Sequence, residues 1–185
     1  MGKNNKAKEH AAKMNTCRHE VAHGLYFIKR NVGICTHITT VRNEKENYTG
    51  RFEFEFDKQL LEKVATSANE IKKASEMAGT FGNEDRTINV SDDSAFGQYM
   101  YEDAVEHVVG PMAETRTDTE MIISEFDGDC DKFVRHATPD VMAAANQFVR
   151  KNKQLIEKVA EELAVVDEMD GETFVETVKK YGGVK

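Results

Sequence analysis

The sequence predicts an α+β fold that is mainly α-helical and carries one small antiparallel β-hairpin. Three observations lead there. Apolar residues recur every three or four positions through most of the chain, the period of a helix with one buried face. Residues 48–56 instead alternate strictly: Phe52, Phe54 and Phe56 fall on one face and Arg51, Glu53 and Glu55 on the other, as in a half-buried strand. No internal repeat, low-complexity tract or composition break divides the 185 residues. That length suits one domain with a core, so a single domain is expected over residues 1–185.

The elements follow in order. Residues 6–30 lack proline, and Val21, Leu25, Ile28 and Val32 recur at helical spacing, so a helix is expected to end near Val32 with Gly33 as terminator. Residues 34–41, rich in Ile, Thr and Val, read as a strand. Residues 43–47 are a polar turn, and residues 48–56 complete the hairpin. A short third strand is expected near Ile88 and Val90. Leu60, Leu61, Val64, Ala68, Ile71, Ala74 and Met77 mark a helix closed by Gly79, and residues 80–93 form a polar loop. A helix over residues 99–116 is expected to bend near Gly110 and Pro111. Thr138-Pro139-Asp140 reads as a helix start, with Thr as cap and Pro at the first helical position. That helix should run to about Val166, with Val141, Phe148, Leu155, Val159 and Leu163 facing inward. A last helix follows Asp170-Gly171.

Composition excludes several classes. The net charge of −8 argues against a nucleic-acid partner, because phosphate contacts need clustered Lys and Arg. No run of about 18 apolar residues occurs, so no membrane segment is expected. The start is basic but lacks the apolar core of a secretory signal, and Lys6 stands where a myristoylation site wants Ser or Thr. Cys17, Cys35 and Cys130 are an odd number without CxxC spacing, which speaks against a disulfide framework or a Cys-rich zinc site. A reducing, cytoplasmic setting is the expectation.

The segment His19-Glu20-Val21-Ala22-His23 is an HExxH motif inside the first helix. Residues four apart share a helix face about 6 Å apart along the axis, so both imidazoles can reach one ion. Neutral imidazole nitrogen suits Zn²⁺ in tetrahedral coordination, leaving an open position for water. Glu20 is turned about 100° from His19, badly placed to ligate but well placed to take a proton from that water. The bland alternative is two exposed histidines that flank a Glu by accident. A zinc site needs a third ligand, and Glu106, His107, Glu114, Asp127, Asp129, Asp131 and His136 are all candidates among which spacing does not choose. Cys17 lies on the wrong side of the helix to join. Cys130 reads as a buried, unreactive thiol, and His107 as a solvated or core residue that could also hydrogen-bond near the site.

Residues 7–56, with HExxH followed by a hairpin, resemble the peptidase domain of the FtsH-type ATP-dependent zinc metalloproteases. Three further blocks occur in the family's order: Gly110-Pro111-Met112-Ala113-Glu114, resembling its GGRAAEE helix; residues 129–137, resembling its SNDLxxATxxA segment; and the tail around Leu155-Ile156-Glu157-Lys158 and Asp170-Gly171-Glu172. Carried over position by position, the resemblance implies a zincin-like domain with His19 and His23 as zinc ligands, Glu20 as general base and Asp129 as third ligand. The frame on Asp129 places Ala137 eight residues on; a frame on Asp131 is the next choice, and Glu114 would serve in a peptidase of another lineage. The resemblance further implies that substrate pairs its backbone along the hairpin edge at Tyr48, Thr49, Gly50, Arg51 and Phe52.

Several positions depart from the family. Arg18 stands where it has an aromatic residue, Ala22 replaces an inner Gly, Gly128 replaces an Asn, the connection after Ala137 is short, and residues 57–105 match loosely. No GxxxxGK[ST] phosphate loop occurs, so a peptidase-like unit without its own ATPase module is expected. The implied function is a zinc metalloendopeptidase acting on unfolded or flexible polypeptide, with a separate ATPase or unfoldase as a partner for folded substrates and self-association into a homo-oligomer. The alternative is a catalytically inactive binding or regulatory protein that retains the fold, with or without the metal, for which Arg18 and the short connection speak.

Overall fold

The first helix, α1 (Gly2–Arg30), runs 29 residues without a proline and buries Val21, Ala22, Leu25, Tyr26 and Phe27 almost completely. A computed structural model describes residues 2–42, 49–77, 94–114 and 138–183. α1 closes at Asn31, whose φ of 56° is left-handed, a conformation Asn tolerates at helix ends. The terminator is thus Asn31 and not Gly33. Gly33 instead opens the first strand, where any side chain would strike the Glu55 carbonyl.

The sheet has three antiparallel strands in the order β2-β1-β3: β1 (Gly33–Thr39), β2 (Arg51–Phe56) and β3 (Glu168–Asp170). β1 and β2 form the expected hairpin, pairing Ile34 with Glu55 and Ile38 with Phe52, with a register shift between Cys35 and His37. The Phe face of β2 lies on α1: Phe27 has ring centroids 5.6, 4.5 and 5.7 Å from Phe52, Phe54 and Phe56. The strand expected near Ile88 and Val90 falls outside the described residues. Within them, the third strand comes from three residues near the C-terminus, paired through His37–Asp170 and Ile38–Met169.

Four more helices complete the described residues: α2 (Lys58–Met77), α3 (Ala95–Ala113), α4 (Pro139–Val166) and α5 (Gly171–Lys180). The Ser94, Thr138 and Asp170 side chains accept from the backbone N–H groups of Gly97, Val141 and Thr173, which sets the starts of α3, α4 and α5. The Ser94 cap starts α3 four residues earlier than Tyr99, and Pro111 lies in its last turn. α1 is central. Val21 and Leu25 join Val159, Leu163 and Phe174 in one core, while Tyr26 packs with Val105, Val108, Val109 and Val141 in a second. The fold is therefore α+β, mainly helical with a small antiparallel sheet. Among the described residues no helix is long and apolar enough to cross a membrane.

Arg18, the departure just before HExxH, is a tie between helices. Its Nε and Nη2 each donate to a Glu157 oxygen on α4 at 2.7 Å, and Nη1 donates to Asn15 Oδ1 at 3.0 Å. The Arg18 hydrogen bond holds the Glu157 carboxyl below its ordinary 4.5. A lowered carboxyl stabilises the fold above that ordinary value and loses its contribution as pH falls through the lowered one. Solvent screens the pair, since the Glu157 side chain is 40% exposed. Glu157→Gln should cost about 0.5–1 kcal/mol at neutral pH, read from urea midpoints, and the deficit should vanish in acid.

Candidate metal centre

His19 and His23 lie one turn apart on the face of α1 that meets α3, with side chains only 12% and 11% exposed. Their rings converge. The two Nε2 atoms are 3.1 Å apart, and the ring centroids 4.8 Å. Behind each ring stands a carboxylate from α3 or its C-cap. Glu114 Oε1 is 2.9 Å from His19 Nδ1. Glu106 Oε1 is 2.8 Å from His23 Nδ1.

These carboxylates bear on the tautomer. A carboxylate at Nδ1 favours the proton there and leaves the Nε2 lone pair outward. At 3.1 Å the two Nε2 atoms are close enough to share one proton or, with both lone pairs outward, one cation. Tetrahedral zinc with Zn–N bonds of about 2.0–2.1 Å separates two nitrogens by about 3.3 Å, so the donor pair fits that ion. Burial pushes the Glu106 carboxyl up, but His23, His107 and His19 together outweigh it and hold the group below its usual range.

Gly110 provides the room. A Cβ at this position would sit 2.2 Å from His23 Nε2 and 2.8 Å from His19 Nε2, so only glycine lets the α3 backbone lie against the pair. Glu106, Gly110 and Glu114 are spaced by four, one stripe of carboxylate, gap and carboxylate laid along the histidines. That spacing was present in the sequence. Glu106 and Glu114 read there only as candidate ligands, whereas the structure sets each at the nitrogen turned away from the convergence point.

Glu20 is 7% exposed. The approach to β2 passes directly over it: a Cβ on Gly50 would come 2.6 Å from Glu20 Oε1 and equally close to Thr16 Cγ2. Of the expected substrate-edge residues, Gly50 thus lies beside the proposed base. Arg51 pairs with Glu53 at 3.1 Å, and Phe52 turns inward onto Phe27. Thr49 leads into the strand, and Tyr48 lies outside the described residues. β2 is the outer strand of the described sheet.

Asp129, Asp131, Asp127, His136 and Cys130 also lie outside the described residues, and among those described no three His, Cys, Asp or Glu side chains assemble a metal cluster. His107 Nδ1 donates to the Asp103 carbonyl at 2.7 Å on its own helix. Cys17 is fully buried, and burial pushes its thiol up to about 11, well above the range of a reactive thiolate. Compared with known proteins, the chain matches no family model and no curated protein.

Proposed function

We propose that this protein is a zinc metalloendopeptidase that cleaves unfolded or flexible polypeptide. The observation that carries the reading is the convergence of His19 and His23 Nε2 at 3.1 Å, with each ring backed by a part-buried carboxylate. That is the preparation a metal pair needs: ligand nitrogens aimed at one point, with a carboxylate at the far nitrogen of each ring. The motif order shared with FtsH-type peptidase domains supports the same reading and adds Asp129 as third ligand.

His19, His23 and Asp129 would hold the ion, which when bound supplies a Lewis acid that activates water and polarises the scissile carbonyl. Glu20 performs the proton work. Turned away from the imidazole pair but on the same turn, its carboxylate takes the proton released during attack and returns it to the departing amine. The outer edge of β2, which passes over Glu20 at Gly50, would hold an extended segment by main-chain hydrogen bonds, with little demand on its sequence. Such a site accepts chains already extended, so folded proteins would need a separate unfoldase.

The test joins metal analysis to hydrolysis. The protein should carry a single equivalent of zinc and cleave fluorescent casein, with both lost to a chelator and restored by Zn²⁺. Asp129→Ala should lose the metal. Full zinc occupancy without turnover of any unfolded substrate would instead indicate a binding protein. Glu106→Gln and Glu114→Gln should each weaken zinc by about 10–100-fold in chelator competition, since each loosens one ring from its favoured tautomer. Unchanged affinity in both would show that these carboxylates do not orient the rings.

A further inference from the structure

Between β2, the C-terminal part of α1 and the first half of α3 lies a shallow, open recess. Phe27, Phe54, Phe56 and Tyr99 form its walls, and Asp103 and Glu106 close it with carboxylates. Tyr99, Asp103 and Glu106 share a face of α3 because they are spaced by four and three. The mouth is open to solvent: Phe54 is 37% exposed and the Asp103 side chain 31%. The recess borders the metal centre, because Glu106 belongs to both and its Oε1 touches His23 Nδ1.

We propose that this recess is a specificity subsite for a lysine or arginine side chain of the substrate, which rests on the peptidase reading above. A strand added along β2 would point the side chains opposite Phe54 and Phe56 to the same face as those phenylalanines, the face the recess opens on. Aromatic walls that end in carboxylates suit a side chain with an apolar stem and a cationic head. A leucine would desolvate the carboxylates without pairing them, and a glutamate would be repelled. The chain already makes this type of contact at the rim: the Arg30 guanidinium lies 5.2 Å from the Tyr26 ring centre and pairs with Glu102 at 2.9 Å. Glu102 is thereby engaged, and it also accepts from the Tyr26 hydroxyl. Asp103, partly exposed and with His107 Nδ1 at 3.7 Å from its Oδ2 as its neighbour, is the carboxylate that meets an incoming charge.

The test uses the full chain and quenched peptides identical except for Arg, Leu or Glu scanned through each position. At one position Arg should be preferred over Leu and Glu by about tenfold in kcat/KM. Asp103→Asn should bring the Arg-to-Leu ratio close to unity, and Asp103→Lys should turn the preference toward Glu. Cleavage without a basic preference, or a preference unmoved by both variants, would overturn the subsite. A second readout needs no turnover: acetyl-arginine methylamide should shift the ring resonances of Phe54, Phe56 and Tyr99, whereas the leucine analogue should not. If no peptide is cleaved yet those shifts appear and vanish in Asp103→Asn, the peptidase reading falls and the recess stands as a site for basic side chains. Absent shifts, or shifts equal for both compounds, would remove it.

Discussion

Glu20→Gln should bind zinc as tightly as the wild type and yet cleave casein about 10²–10⁴-fold more slowly, the usual span for loss of a general base. The substitution keeps shape and volume, so the buried position at 7% exposure tolerates it, and the amide still fits beneath Gly50. What it removes is the one acceptor on this turn of α1 that can hold a proton without ligating the metal. Zinc retention separates this outcome from misfolding or lost coordination, both of which would also abolish turnover. Undiminished cleavage by a zinc-loaded Glu20→Gln protein would show that the hydrolytic proton travels by another route, and the proposed role of Glu20 would be abandoned.

Gly110→Ala is the second large expectation, and its sign runs against local propensity. In a helix interior, replacing Gly by Ala ordinarily stabilises by about 1 kcal/mol. Here the new methyl would arrive 2.2 Å from His23 Nε2 and 2.8 Å from His19 Nε2. Either α3 must back away from α1 or the imidazoles must turn from their shared point. The first should cost about 1–3 kcal/mol as overpacking of a tight interface, and the second should weaken zinc by about 100-fold or more. Isothermal titration with Zn²⁺ together with a urea melt reads both quantities. A variant that is more stable than the wild type and binds zinc equally well would mean that α3 does not press on the histidine pair, and the geometry described for the centre would be wrong.

Much of the fold was legible because its signals are local. Thr138-Pro139 and Asp170-Gly171 start helices through side-chain caps that need only their neighbours, and both appear where the pattern places them. Strict alternation marked β2 and its Phe face. Helical spacing alone put His19 and His23 on one face of α1, and the same spacing separated Glu20 from them.

What only the tertiary structure decided depends on partners distant in sequence. β3 is three residues long with a single apolar side chain, Met169, too short for any period to register; it is a strand because His37 and Ile38 lie beside it. Arg18 reads in the sequence as a departure from the resembled motif, yet it forks onto Glu157, 139 residues away. Glu106 and Glu114 read as ligands for want of any other role, and only the docking of α3 on α1 sets them behind the rings. Periodicity encodes which face of a helix is turned inward, whereas the neighbour that face meets is chosen by packing the whole chain at once, and the chemistry of this centre comes from that meeting.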